Sequence, residues 1–483
     1  MRLSILIFCS LFTAVVPGQE PKESVPPTTP DPQTDPTRIV YELEVSSAGE
    51  PRPAMKYRLL PNPADLKPGN AATQYYKAFV LEAESPIRTK EYIQLAEWME
   101  TPLRELNIEE LGKTLRANHE DAFYRCLRAA TYRAHCDWEE PVKEEGVQLL
   151  LPALQSFRSV ARLLSMKAKY EIATGNYDEA ILTALDNFTL AYHLQHDGEI
   201  LVQSLVGVAI VGMMHDEFFV EWIRSPGSPN LYWALSEFPV FIDSRKIIAG
   251  DLRFPEYTLP LLRQIDRRPL TAEEAANLAE RAFAVEPGSR LDRSDAKRRA
   301  QLTAWAVQTY DEGYRELVAA GHSRELLDQM PVLQVALLAR WKRYENARDD
   351  LYKWTAVVYG PAREVALTNL REIYRRTESS SAPFWTFMPP LSAMYQAQLR
   401  QHRFLSVLRA IEALRLHAAR YGEFPTALAE IREVPVLDDP VTKAPFVYSG
   451  GGKTATLKMV RHELGADLEY EYRLRLREAK DAK

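Results

Sequence analysis

Apolar positions along this chain follow two periods, and the switches between them mark its segments. Near the N-terminal end Ile39, Tyr41, Leu43 and Val45 alternate with polar neighbours, as do Met55, Tyr57 and Leu59 with Lys56 and Arg58. Period two places every second side chain on one half-buried face, so strands are predicted within 38–62. From about position 70 to 420 the spacing becomes three and four, punctuated by prolines. It predicts helices over 71–84, 108–135, 154–174, 177–194, 199–223, 272–284, 293–320, 331–354, 361–376 and 391–421. After Tyr421 period two returns. Phe446-Val447-Tyr448 and 454–457 flank Ser449-Gly450-Gly451-Gly452, a turn composition that tolerates positive φ. Leu468, Tyr470, Tyr472, Leu474 and Leu476 then alternate with Glu469, Glu471, Arg473 and Arg475 as a final strand.

Helices in succession without intervening strands build a bundle or an α-solenoid. The expected fold is therefore mainly α, a bundle or solenoid-like body at 63–404, with a small α+β unit of antiparallel strands at 405–483. The N-terminal strands of 38–62 are expected to join that sheet and close the chain around its helical body. One helical hairpin is repeat-like: Ala168, Gly175, Tyr177 and Ala180 in AKYEIATGNYDEAI fall where a tetratricopeptide repeat places its small residues and turn. No second copy occurs at that repeat's period.

The first 18 residues read as a signal peptide: Arg2, an apolar run from Leu3 to Val16, and the small-residue cleavage site Val16-Pro17-Gly18. The run is too short to anchor in a bilayer core of about 30 Å. Phe8 stands before Cys9 where a lipobox needs a small residue. Residues 19–37, rich in Pro, Thr, Asp and Gln, read as a disordered linker. The most apolar later stretch, 200–214, is shorter than a span and carries Gln203 and Ser204, so no transmembrane segment is expected in the mature chain. Export to the periplasm or beyond is the expected destination.

Export bears on the cysteines. Cys9 leaves with the signal, and Cys126 with Cys136 permits a disulfide. An unbroken helix would hold them about 15 Å apart, so a bond requires the helix to end between them. Two buried free thiols are the alternative.

Charge excludes one class of partner. With 66 acidic against 60 basic residues and a net charge of −6, the chain has no field to recruit nucleic acid. Gly452-Lys453-Thr454 lacks the upstream glycine of a phosphate loop, since Val447 stands there, and a strand follows it instead of a helix. No Gly-x-Ser-x-Gly elbow occurs, and Cys136 beside Asp137 has its thiolate disfavoured. The one His/carboxylate concentration is His193, His196 and Asp197 with His215, Asp216 and Glu217. His193 and His196, three apart, would offer two imidazoles on one helical face to a metal, but the cluster straddles a helix boundary at Gly198, where polar caps belong. Capping is the favoured role, and neither metal nor cofactor is expected. Tyr232 and Trp233 open a helix after Ser225-Pro226-Gly227 and are read as packing aromatics rather than a ligand shelf.

Several phrases resemble a family of uncharacterised exported proteins from planctomycete bacteria: MKYRLLP with PGNAATQYY, CDW, LVGVAIVGMM, SPGSPNLYWALSEFP, MPVLQVALL, KW and DPVTKAPFVYSGGGKTATL. They span most of the mature chain, and the resemblance implies no reaction. The C-terminal segment is similar to the tail of type II secretion pseudopilins, in which a helix ends in a Tyr/Gly/Pro signature and an Asp-Pro loop enters a small sheet. Tyr421, Gly422, Phe424, Pro425, Asp439, Pro440, Pro445 and Tyr448 fit that outline, with Lys443 where a glycine is usual and no apolar pilin stalk in this module.

The function expected from these readings is non-enzymatic, an exported interaction or structural protein whose partner is a protein or envelope component. The alternative is an exported hydrolase of envelope polysaccharide or peptidoglycan, for which the His193/His196/His215 region is the place to look.

Overall fold

A computed structural model describes residues 37–478 apart from 84–93, 96, 100, 119–120, 147–148, 150–152, 240–241, 286–290, 293, 359, 361, 378–382 and 463–467. The expected signal peptide (1–18) and all but the last residue of the expected linker (19–37) lie outside the described residues. In chain order the principal elements begin with β1 (Arg38–Val45), β2 (Lys67–Asn70), α1 (Ala71–Ala83), α2 (Ile108–Asn118), α3 (Asp121–Thr131) and β3 (Arg133–His135). Then come α4 (Ala153–Ala173), α5 (Tyr177–His196) and α6 (Leu201–Met214), the last running through a π turn, His215–Val220, into Glu221–Arg224. Helices α7 (Tyr232–Glu237), α8 (Arg245–Asp251), α9 (Ala272–Ala284), α10 (Asp295–Ala319), α11 (Val332–Thr355), α12 (Arg363–Thr377) and α13 (Leu391–Tyr421) follow. Strands β4 (Val447–Gly451), β5 (Thr454–Met459) and β6 (Glu469–Leu476) complete the described chain. The protein is mainly α, with a small four-stranded mixed sheet and a two-stranded parallel pair, β2 with β3, among the described residues.

The sheet has the order β1-β6-β5-β4, so the two ends of the chain are paired. β1 lies parallel to β6 in the register Arg38↔Glu469 to Val45↔Leu476, and the β6-β5-β4 part is antiparallel. Alternation sorts the faces: Leu43, Val45, Tyr472, Leu474, Leu476, Leu457 and Met459 are buried, and the charged alternates face outward.

Several boundaries differ from the sequence pattern. Met55, Tyr57 and Leu59 form no strand. Lys56 N–H donates to Pro53 O in a turn, and prolines at 51, 53, 61 and 63 remove ladder donors. Tyr57 and Leu59 are nonetheless buried, so their alternation reflects packing of an irregular segment on the core. The helix predicted over 108–135 is α2, α3 and then β3, which pairs with β2. The glycine-rich turn is tighter than predicted: Ser449 to Gly451 belong to β4, leaving Gly452 and Lys453 between the strands.

The chain divides into two compact units that interleave in sequence. The smaller comprises the described parts of Pro141–Leu149 and Ala249–Ala393, where α10 and α11 pack along each other with α9 and α12 against α11. Buried Gln334 on α11 ties down the loop before α9, donating to Ile265 O (2.9 Å) and Arg268 O (2.8 Å) and accepting from Leu270 N–H (2.7 Å). The larger unit comprises the described parts of Pro36–Glu140, Leu150–Ile248 and Met394–Lys483. In it α4, α5 and α6 pack side by side, and α13 is buried on nearly every face from Met394 to Ala418. The 24-residue helical run Leu201–Arg224 is apolar enough to cross a membrane by composition, and 61% of its most apolar window is buried inside the protein.

A helix buried all round must satisfy its polar residues internally. Arg415, fully buried, donates to Glu412 Oε1 (2.8 Å), Ser46 O (3.0 Å), Ser228 O (2.7 Å) and Ser228 Oγ (2.8 Å). Glu412 in turn accepts from Leu231 N–H at 3.2 Å, and its backbone carbonyl accepts from Asn230 Nδ2 at 2.9 Å. Two turns from the N-terminal end of this buried stretch, Arg403 meets Asp439 in a second buried pair (Nε to Oδ1, 2.9 Å) and donates to Val460 O (2.6 Å). Asp439 also accepts from Val441 N–H (2.9 Å), and its carbonyl from Lys443 N–H (2.8 Å), which shapes the Asp-Pro loop. That loop places Lys443 at φ 55°, a left-handed conformation in which glycine is favoured.

Two outcomes are expected from urea unfolding followed by circular dichroism. Arg415→Ala leaves Glu412 buried without its cation and costs about 3–5 kcal/mol, whereas Arg415→Met with Glu412→Leu recovers more than half of that loss. Lys443→Gly relieves the left-handed backbone and stabilises by about 1 kcal/mol.

Candidate functional site

The structure separates the three histidines. His193, on the inner side of α5, is buried with its Nδ1 3.0 Å from Tyr75 Oη, and Tyr75 in turn stacks on buried Trp138. Burial pushes the imidazole down to about 4; the charge of Asp197 opposes this and that of His196 adds to it. His196 ends the same helix but stands half exposed, stacked on Tyr192 with Nδ1 2.8 Å from Asp197 Oδ1, a hydrogen bond that raises its pKa. His215 opens the π turn after α6. It is buried between Phe404 and the Tyr472 hydroxyl, which lies 2.8 Å from Nε2, with Asp216 Oδ1 3.0 Å from Nδ1. Asp216 is also the acceptor for Tyr41 O–H (2.7 Å), which links β1 to the helix beneath it.

Glu217 completes this set. Burial pushes its carboxyl up to about 7 against the pull of Lys169, whose Nζ donates to it at 2.7 Å and also holds the carbonyls of Met99 and Thr101. Each of these groups therefore has an internal partner, and the two imidazoles of α5 do not converge. Among the described residues no group of three or more His, Cys, Asp or Glu is placed to hold a metal ion.

Cys126 on α3 and Cys136 after β3 are free thiols, although the helix does end between them, at Thr131. Burial raises the Cys136 thiol pKa well above the ordinary range, which makes it inert as a nucleophile. The Cys-Asp-Trp phrase is a packing plug: Asn70 Nδ2 donates to Asp137 O (2.7 Å), Tyr76 O–H to Trp138 O (2.9 Å), and the indole is buried against Phe157. Tyr232 is buried under the Arg409 guanidinium, and Trp233 donates to Glu50 (2.6 Å).

Unspent charge gathers elsewhere in the larger unit. Arg473 and Arg475 alternate along the outward face of β6, with Arg477 just past its end, and the register sets Glu42 and Glu44 of β1 opposite the first two. With Arg104 and Arg224 these arginines line a cleft of about 880 Å³, in which the acidic residues are Glu42, Glu44 and Glu221. Leu103, Leu106, Ile108 and Ile172 supply an apolar wall, and the turn at Gly175 between α4 and α5 forms one end. Arg473 is engaged by Glu471 (2.6 Å) and Glu42 (2.8 Å), and Arg224 by Glu221 (3.1 Å) and Glu42 O (3.2 Å). Arg477 donates to Arg224 O at 2.9 Å and stands 3.7 Å from Glu44. The Arg475 side chain is exposed and, among the described residues, has no hydrogen-bond or ion-pair partner, and 84% exposed Arg104 has there only its neighbour Glu105.

Guanidinium forks of this kind match carboxylate, phosphate or sulfate. The sequence pattern shows the β6 arginines only as the polar half of a strand. Their spacing of two, with three cations in a row where a solvated strand usually mixes signs, is the signal that could have pointed to a charged face. Nothing in the sequence places Arg104 or Arg224 beside them.

Comparison with protein-family models, with curated proteins and with solved structures returns no match.

The buried histidine gives a pH dependence with a definite sign. His193 binds its proton less readily folded (about 4) than unfolded (6.5), so the folded state loses stability as pH falls from 6.5 towards 4. The stability advantage of the wild type over His193→Gln is expected to shrink by about 2–3 kcal/mol across that interval in urea titrations, and to stay level above pH 7.

Proposed function

We propose that this chain is an exported protein that works by binding and not by turnover, and that its arginine-lined cleft holds an anionic partner of the cell envelope. The observation that carries this reading is the distribution of spent and unspent charge. His193, His196, His215, Asp216 and Glu217 each have a hydrogen-bond partner in the fold, whereas among the described residues the Arg475 side chain at the cleft has no ion pair and exposed Arg104 meets only its neighbour Glu105. A cleft of about 880 Å³ lies within the size range of ligand sites. Its charge is opposite in sign to the chain's net charge of −6, which favours a local partner over general adhesion. Export rests on the N-terminal pattern of Arg2, the Leu3 to Val16 run and Val16-Pro17-Gly18.

The test uses the purified mature chain with washed native envelope. Sedimentation with the envelope is expected at low salt, weakened several-fold at about 0.5 M salt and by an Arg104→Glu/Arg475→Glu pair, with no soluble saccharide or peptide released. Release of soluble fragments by the wild type, abolished by Glu42→Gln or Glu221→Gln, would replace the binding reading with the hydrolase.

A further inference from the structure

The cleft runs beside a strand edge, and that edge identifies the chemistry of its occupant more narrowly than charge does. β1 is the outermost strand on its side of the sheet. In a parallel ladder the N–H and C=O of one residue point to the same side. Glu469 N–H donates to Thr37 O at 2.8 Å and Arg477 N–H to Val45 O at 2.9 Å, so the odd-numbered residues of β1 turn their peptide groups towards β6. Val40, Glu42 and Glu44 turn theirs the other way, off the free edge. Of these groups Glu42 O accepts from Arg224 Nη2 at 3.2 Å, and among the described residues no other strand pairs there. Val40 is 40% exposed, and the side chains of Glu42 and Glu44 stand 68% and 60% in solvent.

Edge strands are commonly protected by charge that repels a second strand. Here that protection is cancelled. Glu42 is paired with Arg473 (2.8 Å), Glu44 lies near Arg477 (3.7 Å), and Arg475 between them is left over. The edge therefore presents peptide donors and acceptors under a net cationic row, and faces an apolar wall that includes Leu103, Ile108 and Ile172.

From these features the geometry points to an extended acidic polypeptide as the ligand, added to the free edge of β1 as a further strand of the sheet. Its main chain pairs with Val40, with Glu44 and with the Glu42 N–H, the Glu42 carbonyl being held by Arg224. Its side chains alternate, carboxylates towards Arg475 and Arg104, apolar groups towards the Leu103/Ile108 wall. Strand addition draws affinity from main-chain hydrogen bonds and specificity from alternate side chains. This inference deepens the binding reading above and rests on it.

Four probes separate the outcomes by fluorescence anisotropy on the intact mature chain: an eight-residue alternating Glu/Val peptide, its Lys/Val counterpart, the Glu/Val peptide N-methylated at alternate amides, and an oligogalacturonate. Saturable binding of the Glu/Val peptide is expected, about five- to tenfold weaker to Arg475→Ala and weaker with salt, with little binding of the other three. Arg475 is exposed and unpaired, so its loss leaves the fold intact; an unchanged circular-dichroism melt checks this. Equal binding of the N-methylated peptide, or tighter Arg475-dependent binding of the oligogalacturonate, overturns strand addition and leaves the anionic-partner reading standing. No binding by any acidic probe, together with envelope sedimentation unaffected by Arg475→Ala, overturns both.

Discussion

The larger unit depends on one buried cation. Arg415 lies inside α13 with no solvent to hydrate it, and a guanidinium in that position is tolerable only if its donors are met. The groups that meet them come from the segment after β1 (Ser46 O), from the loop before α7 (Ser228) and from α13 itself (Glu412). Glu412 then fixes the same loop through Leu231 N–H, and Arg415 O accepts from Ala48 N–H at 3.2 Å. Two segments remote in sequence are thus specified by one helical turn. A hydrophobic side chain of the same size would fill the space without choosing among them.

That constraint reaches the cleft through register. With Ser46 and Ala48 fixed on α13, β1 has little freedom to slide along β6, and a slip of one residue would turn its apolar row outward. Register sets Glu42 against Arg473 and Glu44 against Arg475, but the Glu44 carboxylate lies near Arg477, which leaves the Arg475 side chain without an ion pair among the described residues. Below the sheet, the Tyr41–Asp216 bond and the His215–Tyr472 contact anchor the same two strands to the helix that carries Arg224 into the cleft. Arg403 and Asp439 perform the corresponding task for the loop that leads to β4. The polar groups that looked most like chemistry in the sequence are in this way structural, and they orient the surface where charge remains available.

What the sequence disclosed follows from how local each feature is. The alternation in Ile39 to Val45 and in Tyr470 to Leu476 was legible because each strand buries one face, and their pairing across the whole chain is observed. The 31 residues of α13 were legible because its apolar positions continue without a breaker to Gly422. The segment around Tyr57 and Leu59 misled because an irregular chain laid on a core also buries alternate residues, and only the absent ladder tells the two apart. His193 and His196, three residues apart on α5, sit on either side of the boundary between core and solvent, a difference that their spacing alone does not disclose. The cleft was not legible, since Arg104, Arg224 and the β6 arginines come from three separate segments that only the closed sheet brings together. Lys443 is the opposite case, a lysine whose backbone takes the left-handed conformation that glycine favours, which its residue type does not announce.

Native-state hydrogen exchange of two amides tests the buried-arginine constraint most directly. Ala48 N–H is bound to Arg415 O and Leu231 N–H to Glu412, from opposite sides of the chain. If Arg415 and Glu412 hold both segments in one cooperative structure, the two amides exchange only through unfolding of the larger unit. They then show the same protection as core amides of α13 such as that of Leu414, with the same dependence on denaturant. Exchange of Ala48 or Leu231 through a low-energy local opening, independent of denaturant while α13 stays protected, would contradict the dependence of the fold on that buried cation.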